Sequence, residues 1–154
     1  MAFRNTNQEK REECETRNFK KASYILSGLF KNNIHSIEDT DITCSVDLRM
    51  SLKSGKKYIF ELKPAKHDFK EYVLLVSKMW KMKMEQKDGE RLFLMYLLDD
   101  RYYIFDIDNL QLSQLRAANI LAKDTEYNIE YEEKKQQPAY FIKREYCCFS
   151  GLTN

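Results

Sequence analysis

The stretch ITCSVDLRMSLKSGKKYIFELKP, residues 42–64, decides the fold, because it has the pattern of two β-strands joined by a tight turn. Apolar and polar residues alternate over 42–50, which is typical of a strand with one buried face. Residues 53–55, Lys-Ser-Gly, fit a three-residue turn that holds glycine in the left-handed conformation. A second strand is predicted over 57–63, and Pro64 ends it because proline cannot donate to a ladder.

The turn fixes the register of the predicted hairpin. With a three-residue turn at 53–55, the numbers of facing residues sum to 108. One face then carries only apolar pairs and should pack on the core. The opposite face sets Asp47 against Glu61 and Ser45 against Lys63. The apolar pairs are Val46 with Leu62, Leu48 with Phe60, and Met50 with Tyr58.

The pairing of Asp47 with Glu61 is the feature that indicates chemistry. Directly opposed residues have Cβ atoms about 5 Å apart, so two carboxylates placed in this way repel each other. A bound Mg²⁺ would offset the repulsion, because this ion prefers carboxylate oxygens and water. The alternative that stays open is a solvent-exposed polar face, on which Glu61 pairs with Lys63 or Arg49.

The rest of the chain predicts a mixed α/β or α+β fold, since helical and strand patterns alternate along it. The order is helix, hairpin, helix, hairpin, short helix, hairpin, and we expect one domain over residues 1–154. The predicted elements are a helix at 8–31, a short strand at 34–37, a helix at 67–86 with Asp68 as its cap, strands at 91–98 and 101–107 about an Asp99–Asp100 turn, a short helix near 109–120, and strands at 126–133 and 139–146.

The overall charge does not indicate a nucleic-acid partner, but its distribution does. The net charge is +2, whereas residues 63–87 contain seven lysines and three acids. Clustered lysines can neutralise phosphates even in a protein of small net charge. A solvated helix face explains the same run equally well.

Composition and cysteine spacing indicate the cellular compartment in which we expect the protein. Hydrophobic residues make up 43% of the chain, and no apolar run approaches the ~18 residues of a membrane span. The four cysteines have no CxxC spacing, which argues against a zinc site. The chain starts with polar residues rather than a signal peptide, so we expect a cytoplasmic protein with free thiols and no membrane partner.

Asp47 followed by Glu61-Leu62-Lys63 resembles the motif of the PD-(D/E)XK nuclease superfamily, which has the restriction-endonuclease-like fold. That motif pairs an Asp with a downstream (D/E)xK on adjacent strands. The resemblance covers residues 8–107 and implies an αβββαβ core, in which helices flank a central mixed sheet. The first strand of that core would be 33–37, and Val46 stands where the motif often has proline.

The resemblance implies a metal-dependent nuclease, with DNA as the expected substrate and Mg²⁺ or Mn²⁺ as the cofactor. Asp47 and Glu61 would hold the metal, with the backbone carbonyl of Leu62 also near it. Lys63 would position the attacking water and stabilise charge at the phosphate. A compact nuclease of this kind would suit a phage or mobile element, and a homodimer is an option because many such nucleases cut two strands.

The two predicted helices supply the remaining candidates. Many members of the superfamily add an acid from the first helix, and here Glu15 is preferred to Glu12, although an ordinary acidic first turn explains both. The predicted nucleic-acid contacts are Lys78, Lys81 and Lys66. We expect Trp80, Val73, Val76 and Met84 to pack in the core rather than stack on bases.

Two other functions stay open on the sequence. The chain could be a catalytically inactive nuclease fold that binds nucleic acid or protein. It could also be an unrelated interaction domain that uses its aromatic strands and residues 134–149. Metal-dependent cleavage distinguishes the nuclease from both alternatives.

Overall fold

The computed structural model describes residues 6–40, 44–121 and 136–153. Within these ranges the chain forms two α-helices and nine β-strands, with short 3₁₀ turns between some of them. The helices are α1 (Thr6–Phe30) and α2 (Val76–Glu85), and the strands are β1 (Ile34–Asp39), β2 (Leu48–Leu52), β3 (Lys57–Pro64), β4 (Glu71–Leu75), β5 (Glu90–Leu97), β6 (Arg101–Asp106), β7 (Arg116–Leu121), β8 (Gln136–Lys143) and β9 (Phe149–Leu152).

The strands form a six-stranded main sheet and a three-stranded small sheet. The main sheet has the order β1-β2-β3-β5-β6-β9, and the small sheet has the order β4-β8-β7. Strands β3 and β5 run parallel, while the other neighbours in both sheets run antiparallel. The predicted mixed α/β class, with a mixed central sheet and flanking helices, is confirmed.

The main sheet separates two apolar clusters, because alternate residues of a strand point to opposite faces. Helix α1 packs on one face through Ala22, Ile25 and Leu26. The other face is covered by α2 and the small sheet, with Met79 and Leu74 among the buried contacts. The central strand β5 is buried on both faces, which explains its nearly continuous apolar sequence.

The β2–β3 hairpin has the predicted turn and register. Gly55 lies in the left-handed region, at φ 92°. The strand prediction is wrong over 44–47, because β2 begins only at Leu48. Val46 consequently joins the cluster beneath α2 rather than the face of Leu62. The ladder pairs Leu48 with Phe60, Arg49 with Ile59, Met50 with Tyr58, and Ser51 with Lys57.

The single helix predicted over 67–86 is wrong in its first half. Residues 71–75 form β4, in which Tyr72 and Leu74 are buried while Val73 is exposed, and helix α2 follows directly. A short apolar run fits a strand as well as a helix. Here the run forms a strand because it pairs with β8. Asp68, the predicted helix cap, instead binds the side chains of Arg101, Tyr103 and Arg144.

The C-terminal third differs from prediction in part. The short helix near 109–120 is wrong, since two 3₁₀ turns lead into β7 there. The predicted strand at 126–133 lies outside the described residues, and the strand expected at 139–146 is β8, which pairs with β4 and β7. The β5–β6 hairpin about Asp99–Asp100 is confirmed. No helix in the described ranges is long and apolar enough to cross a bilayer.

Candidate active site

Asp47 is fixed at the point where the chain leaves the β2 ladder. Its N–H donates to the carbonyl of Phe60 at 2.8 Å, although Phe60 pairs with Leu48 in the ladder, and this ties residue 47 to β3 just outside the regular register. Its carboxylate Oδ2 accepts the N–H of Leu62 at 2.8 Å. In a regular strand a backbone carbonyl would accept that N–H, but the carbonyl of Val46 accepts the Thr40 hydroxyl instead, at 2.5 Å. Asp47 therefore replaces one ladder bond, and this holds its carboxylate against β3.

Glu61 lies beside Asp47 and is a buried charged residue, with 5% of its surface exposed. It points, like Ile59 two residues before it, to the face covered by α2 and the small sheet. Burial, followed by the charge of Asp47, raises the pKa of Glu61 to about 8, although two nearby lysines oppose the shift. Glu61 is therefore mostly protonated at neutral pH and shares a hydrogen bond with Asp47.

Two lysines approach Glu61 from different elements. The Nζ atom of Lys78, on α2, lies 3.4 Å from Oε2 of Glu61. That distance suits an ion pair, yet Oε2 is fully buried and has no hydrogen-bond partner among the described residues. Lys63 lies two residues beyond Glu61 on the same face of β3, and it is half-buried. The site thus combines two carboxylates with two ammonium groups.

The donor set suits a divalent cation. Asp47 and Glu61 offer hard carboxylate oxygens, and Mg²⁺ usually takes only one or two carboxylates together with water and substrate oxygens. A buried acceptor that lacks a partner costs about 1–3 kcal/mol, and a cation at Oε2 of Glu61 would remove that cost. Opposite charge nearby also favours the ionised form of a carboxyl group. In the described part of the chain, no three or more His, Cys, Asp or Glu side chains lie together in a way that could hold a metal ion.

The predicted acids of the first helix lie away from this pair. Helix α1 packs on the face of the main sheet opposite to Glu61. Lys21 of α1 contacts the carbonyl of Leu98 near the end of β5. Glu15 lies about 9 Å further along the helix axis and pairs with Arg11 at 3.1 Å. Glu12 lies one turn beyond, and a metal role for either acid stays a prediction.

The three predicted nucleic-acid contacts differ in their surroundings. Lys78 reaches the carboxylates, as described above, while Lys81 is exposed on α2. Lys66 is exposed in the loop that follows β3. Leu62, whose carbonyl was expected near a metal, supplies its N–H to Asp47. Of the predicted set, the structure brings together Asp47, Glu61, Lys63 and Lys78.

Sequence reasoning missed Glu85, which ties α2 to the segment that carries Asp47. Its Oε2 atom accepts the backbone N–H of Ser45 at 2.6 Å. The contact joins positions 40 residues apart, and it depends on α2 beginning at Val76. No local pattern around Glu85 signals it, because an acid near a helix end is ordinarily solvated. Its effect is to hold residues 45–47 in their irregular path beside β3.

No protein-family model matches this chain, and no curated protein matches it at a significant level.

Proposed function

We propose that this chain is a metal-dependent nuclease that hydrolyses phosphodiester bonds in DNA. The observation that carries the proposal is the side-by-side placement of Asp47 and buried Glu61, with Lys63 and Lys78 next to them. Mg²⁺ or Mn²⁺ is the proposed cofactor. With four free cysteines in the structure, we place the activity in the reducing cytoplasm.

The order of elements around the site supports the proposal. Helix α1 is followed by β1, β2 and β3, and α2 then leads to β5, which lies parallel to β3. Apart from the inserted strand β4, this is the αβββαβ order implied by the resemblance to PD-(D/E)XK nucleases. Strand β1 occupies Ile34–Asp39, where the first core strand was expected.

Each side chain has a distinct task in the proposed reaction. Asp47 and ionised Glu61 would hold the cation, which supplies an activated water and offsets charge on the phosphoryl oxygens. Lys63 would orient that water and stabilise the charge that develops at the phosphate. Lys78 favours the ionised form of Glu61, because its ammonium group lies 3.4 Å from the carboxylate. The hydrogen bond from Leu62 to Asp47 keeps the first carboxylate from turning away.

A cleavage panel tests the proposal directly. The full chain is incubated with Mg²⁺ or Mn²⁺ and with single-stranded, duplex, flap, four-way-junction and RNA substrates. We expect metal-dependent cleavage that Asp47→Asn and Lys63→Met each reduce at least 100-fold, whereas Lys56→Met, in the exposed hairpin turn, leaves it unchanged. Equal cleavage by wild type and both site variants, all folded, would show that the active site lies elsewhere.

A catalytically inactive binding module is the second candidate, and one observation favours it. Lys78 already neutralises part of the charge at Glu61, and the raised pKa leaves that carboxyl largely uncharged at pH 7. A site that binds no metal ion would show the same Lys78 contact and the same raised pKa of Glu61. If Mn²⁺ fails to bind at pH 8, where Glu61 is about half ionised, this second function replaces the nuclease.

A further inference from the structure

The outward face of α2 carries large apolar side chains that stay open to solvent. Trp80 is 60% exposed and Met84 is 84% exposed, whereas Met79 and Met82 are the buried residues of this helix. At 3.6 residues per turn, Trp80 and Met84 share a stripe on the side opposite to the buried pair. The prediction that these two residues pack in the core is therefore wrong.

Positive charge borders the Trp80–Met84 stripe. Helix α2 carries Lys78, Lys81 and Lys83 against one acid, Glu85, and of these lysines Lys83 pairs with Asp108 at 3.2 Å. That acid is engaged by the backbone N–H of Ser45, and Lys81 is exposed beside the stripe. The cores of protein–protein interfaces are depleted of charged residues, while a polyanion gains from lysines along its path. The charge around the stripe therefore favours nucleic acid as the occupant.

The Trp80–Met84 stripe lies within a short reach of the candidate active site. Lys78 contacts Glu61, and Lys81 follows it on the same side of α2, next to Met84. On a helix about 10–12 Å in diameter, Lys78 and Met84 lie 120° apart around the axis and about 9 Å apart along it, so about 14–15 Å separates them over the helix surface. A strand with one phosphate at the carboxylates can thus pass both lysines and place a base on Trp80.

We propose that Trp80, with Met84 beside it, is a stacking platform for an unpaired base of single-stranded nucleic acid that enters the site past Lys81. The inference rests on the proposed nuclease function and narrows its substrate to one with a single-stranded segment. Every base has a π face, so an exposed aromatic ring beside basic residues holds single strands with little sequence preference. The platform selects unpaired bases over a closed duplex.

Intrinsic fluorescence tests the platform, since Trp80 is the only tryptophan in the chain. The full-length protein is titrated in EDTA, so that no strand is cut, with a ten-nucleotide deoxythymidine strand, its RNA equivalent, or a blunt duplex. We expect saturable quenching by both single strands and much weaker quenching by the duplex. Binding followed through a labelled strand should weaken about 5- to 150-fold in Trp80→Ala and recover most of its strength in Trp80→Phe.

The control variant is Tyr24→Ala, because Tyr24 is 69% exposed on α1, on the other side of the main sheet. It should bind single strands as tightly as wild type. The platform is refuted if Trp80→Ala also binds normally, or if Trp80→Ala instead abolishes a concentration-dependent self-association. If binding of single strands needs Trp80 but no metal-dependent cleavage occurs, the nuclease is refuted and the platform stands. If cleavage occurs and does not depend on Trp80, the platform is refuted and the nuclease stands.

Discussion

Replacing Glu61 with glutamine should make the protein more stable than wild type, and increasingly so as the pH rises. Glutamine has the shape of a neutral glutamate, so Glu61→Gln removes the ionisation while it keeps the packing. The pKa of Glu61 is raised from 4.5 to about 8 in the folded protein. Between pH 4.5 and about pH 8, the Glu61 carboxyl keeps its proton in the folded state, whereas in the unfolded state it has released it. Relative to Glu61→Gln, wild type therefore keeps its full stability below pH 4.5 and loses stability as the pH rises towards 8.

The size of this effect follows from the raised pKa. At about 1.4 kcal/mol for each pH unit between the two pKa values, the full effect is about 5 kcal/mol. Of this, about 3–4 kcal/mol falls between pH 5 and pH 8. A difference of that size is a large part of the stability of an ordinary domain, which is about 5–15 kcal/mol.

Urea unfolding measures the effect. The free energy of unfolding is determined by linear extrapolation for wild type and Glu61→Gln at pH 5, 6, 7 and 8, without divalent metal. The stability of the variant relative to wild type should rise across this series. Glu38→Gln, an exposed glutamate on β1, controls for the removal of one carboxyl group. A difference between wild type and Glu61→Gln that stays constant from pH 5 to pH 8 would refute the reasoning about burial.

Three further predictions follow from the same contacts. Asp47→Ala should lose about 1–3 kcal/mol of stability in urea unfolding, because the N–H of Leu62 loses its acceptor. Asp47→Asn should lose less stability, and equal losses in the two variants would contradict this reasoning. Lys78→Gln should move the midpoint of the pH–rate profile for cleavage to higher pH, since Lys78 lowers the pKa of Glu61; an unchanged midpoint would count against the ion pair. Phe105→Ala should cost about 3–5 kcal/mol in thermal unfolding, because this residue is fully buried beneath the small sheet; a loss under 1 kcal/mol would show that the cluster repacks.

The β2–β3 hairpin could be predicted from the sequence because its determinants are local. A turn with glycine in the left-handed region sets the register, and alternating residues set the faces. The same reasoning could not find the break at 44–47, since that break depends on distant groups. Glu85 on α2 and Thr40 take over the backbone groups that a continued strand would have paired.

Strand β4 shows the opposite case, in which local pattern misleads. Tyr72 to Val76 is a continuous apolar run, and such a run extends a helix as readily as it forms a strand. Pairing with β8, about seventy residues away, resolves the ambiguity. Because α2 then starts only at Val76, its buried edge differs from the one expected, and Trp80 turns outward.

The candidate residues could be named from the sequence, but their environment could not. Asp47, Glu61 and Lys63 follow from register alone. The burial of Glu61 depends on the small sheet and α2 covering that face, and the small sheet was not predicted. The pKa of Glu61 and the approach of Lys78 are consequences of that covering.

Calorimetric titration with Mn²⁺ at pH 7, in two buffers of different ionisation enthalpy, tests the proposed metal site most directly. Glu61 must ionise to become a ligand, so binding should release close to one proton for each Mn²⁺. Asp47→Asn and Glu61→Gln should bind at least tenfold more weakly. Mn²⁺ binding without proton release, or with the same affinity in both variants, would contradict a metal centre built on Asp47 and Glu61.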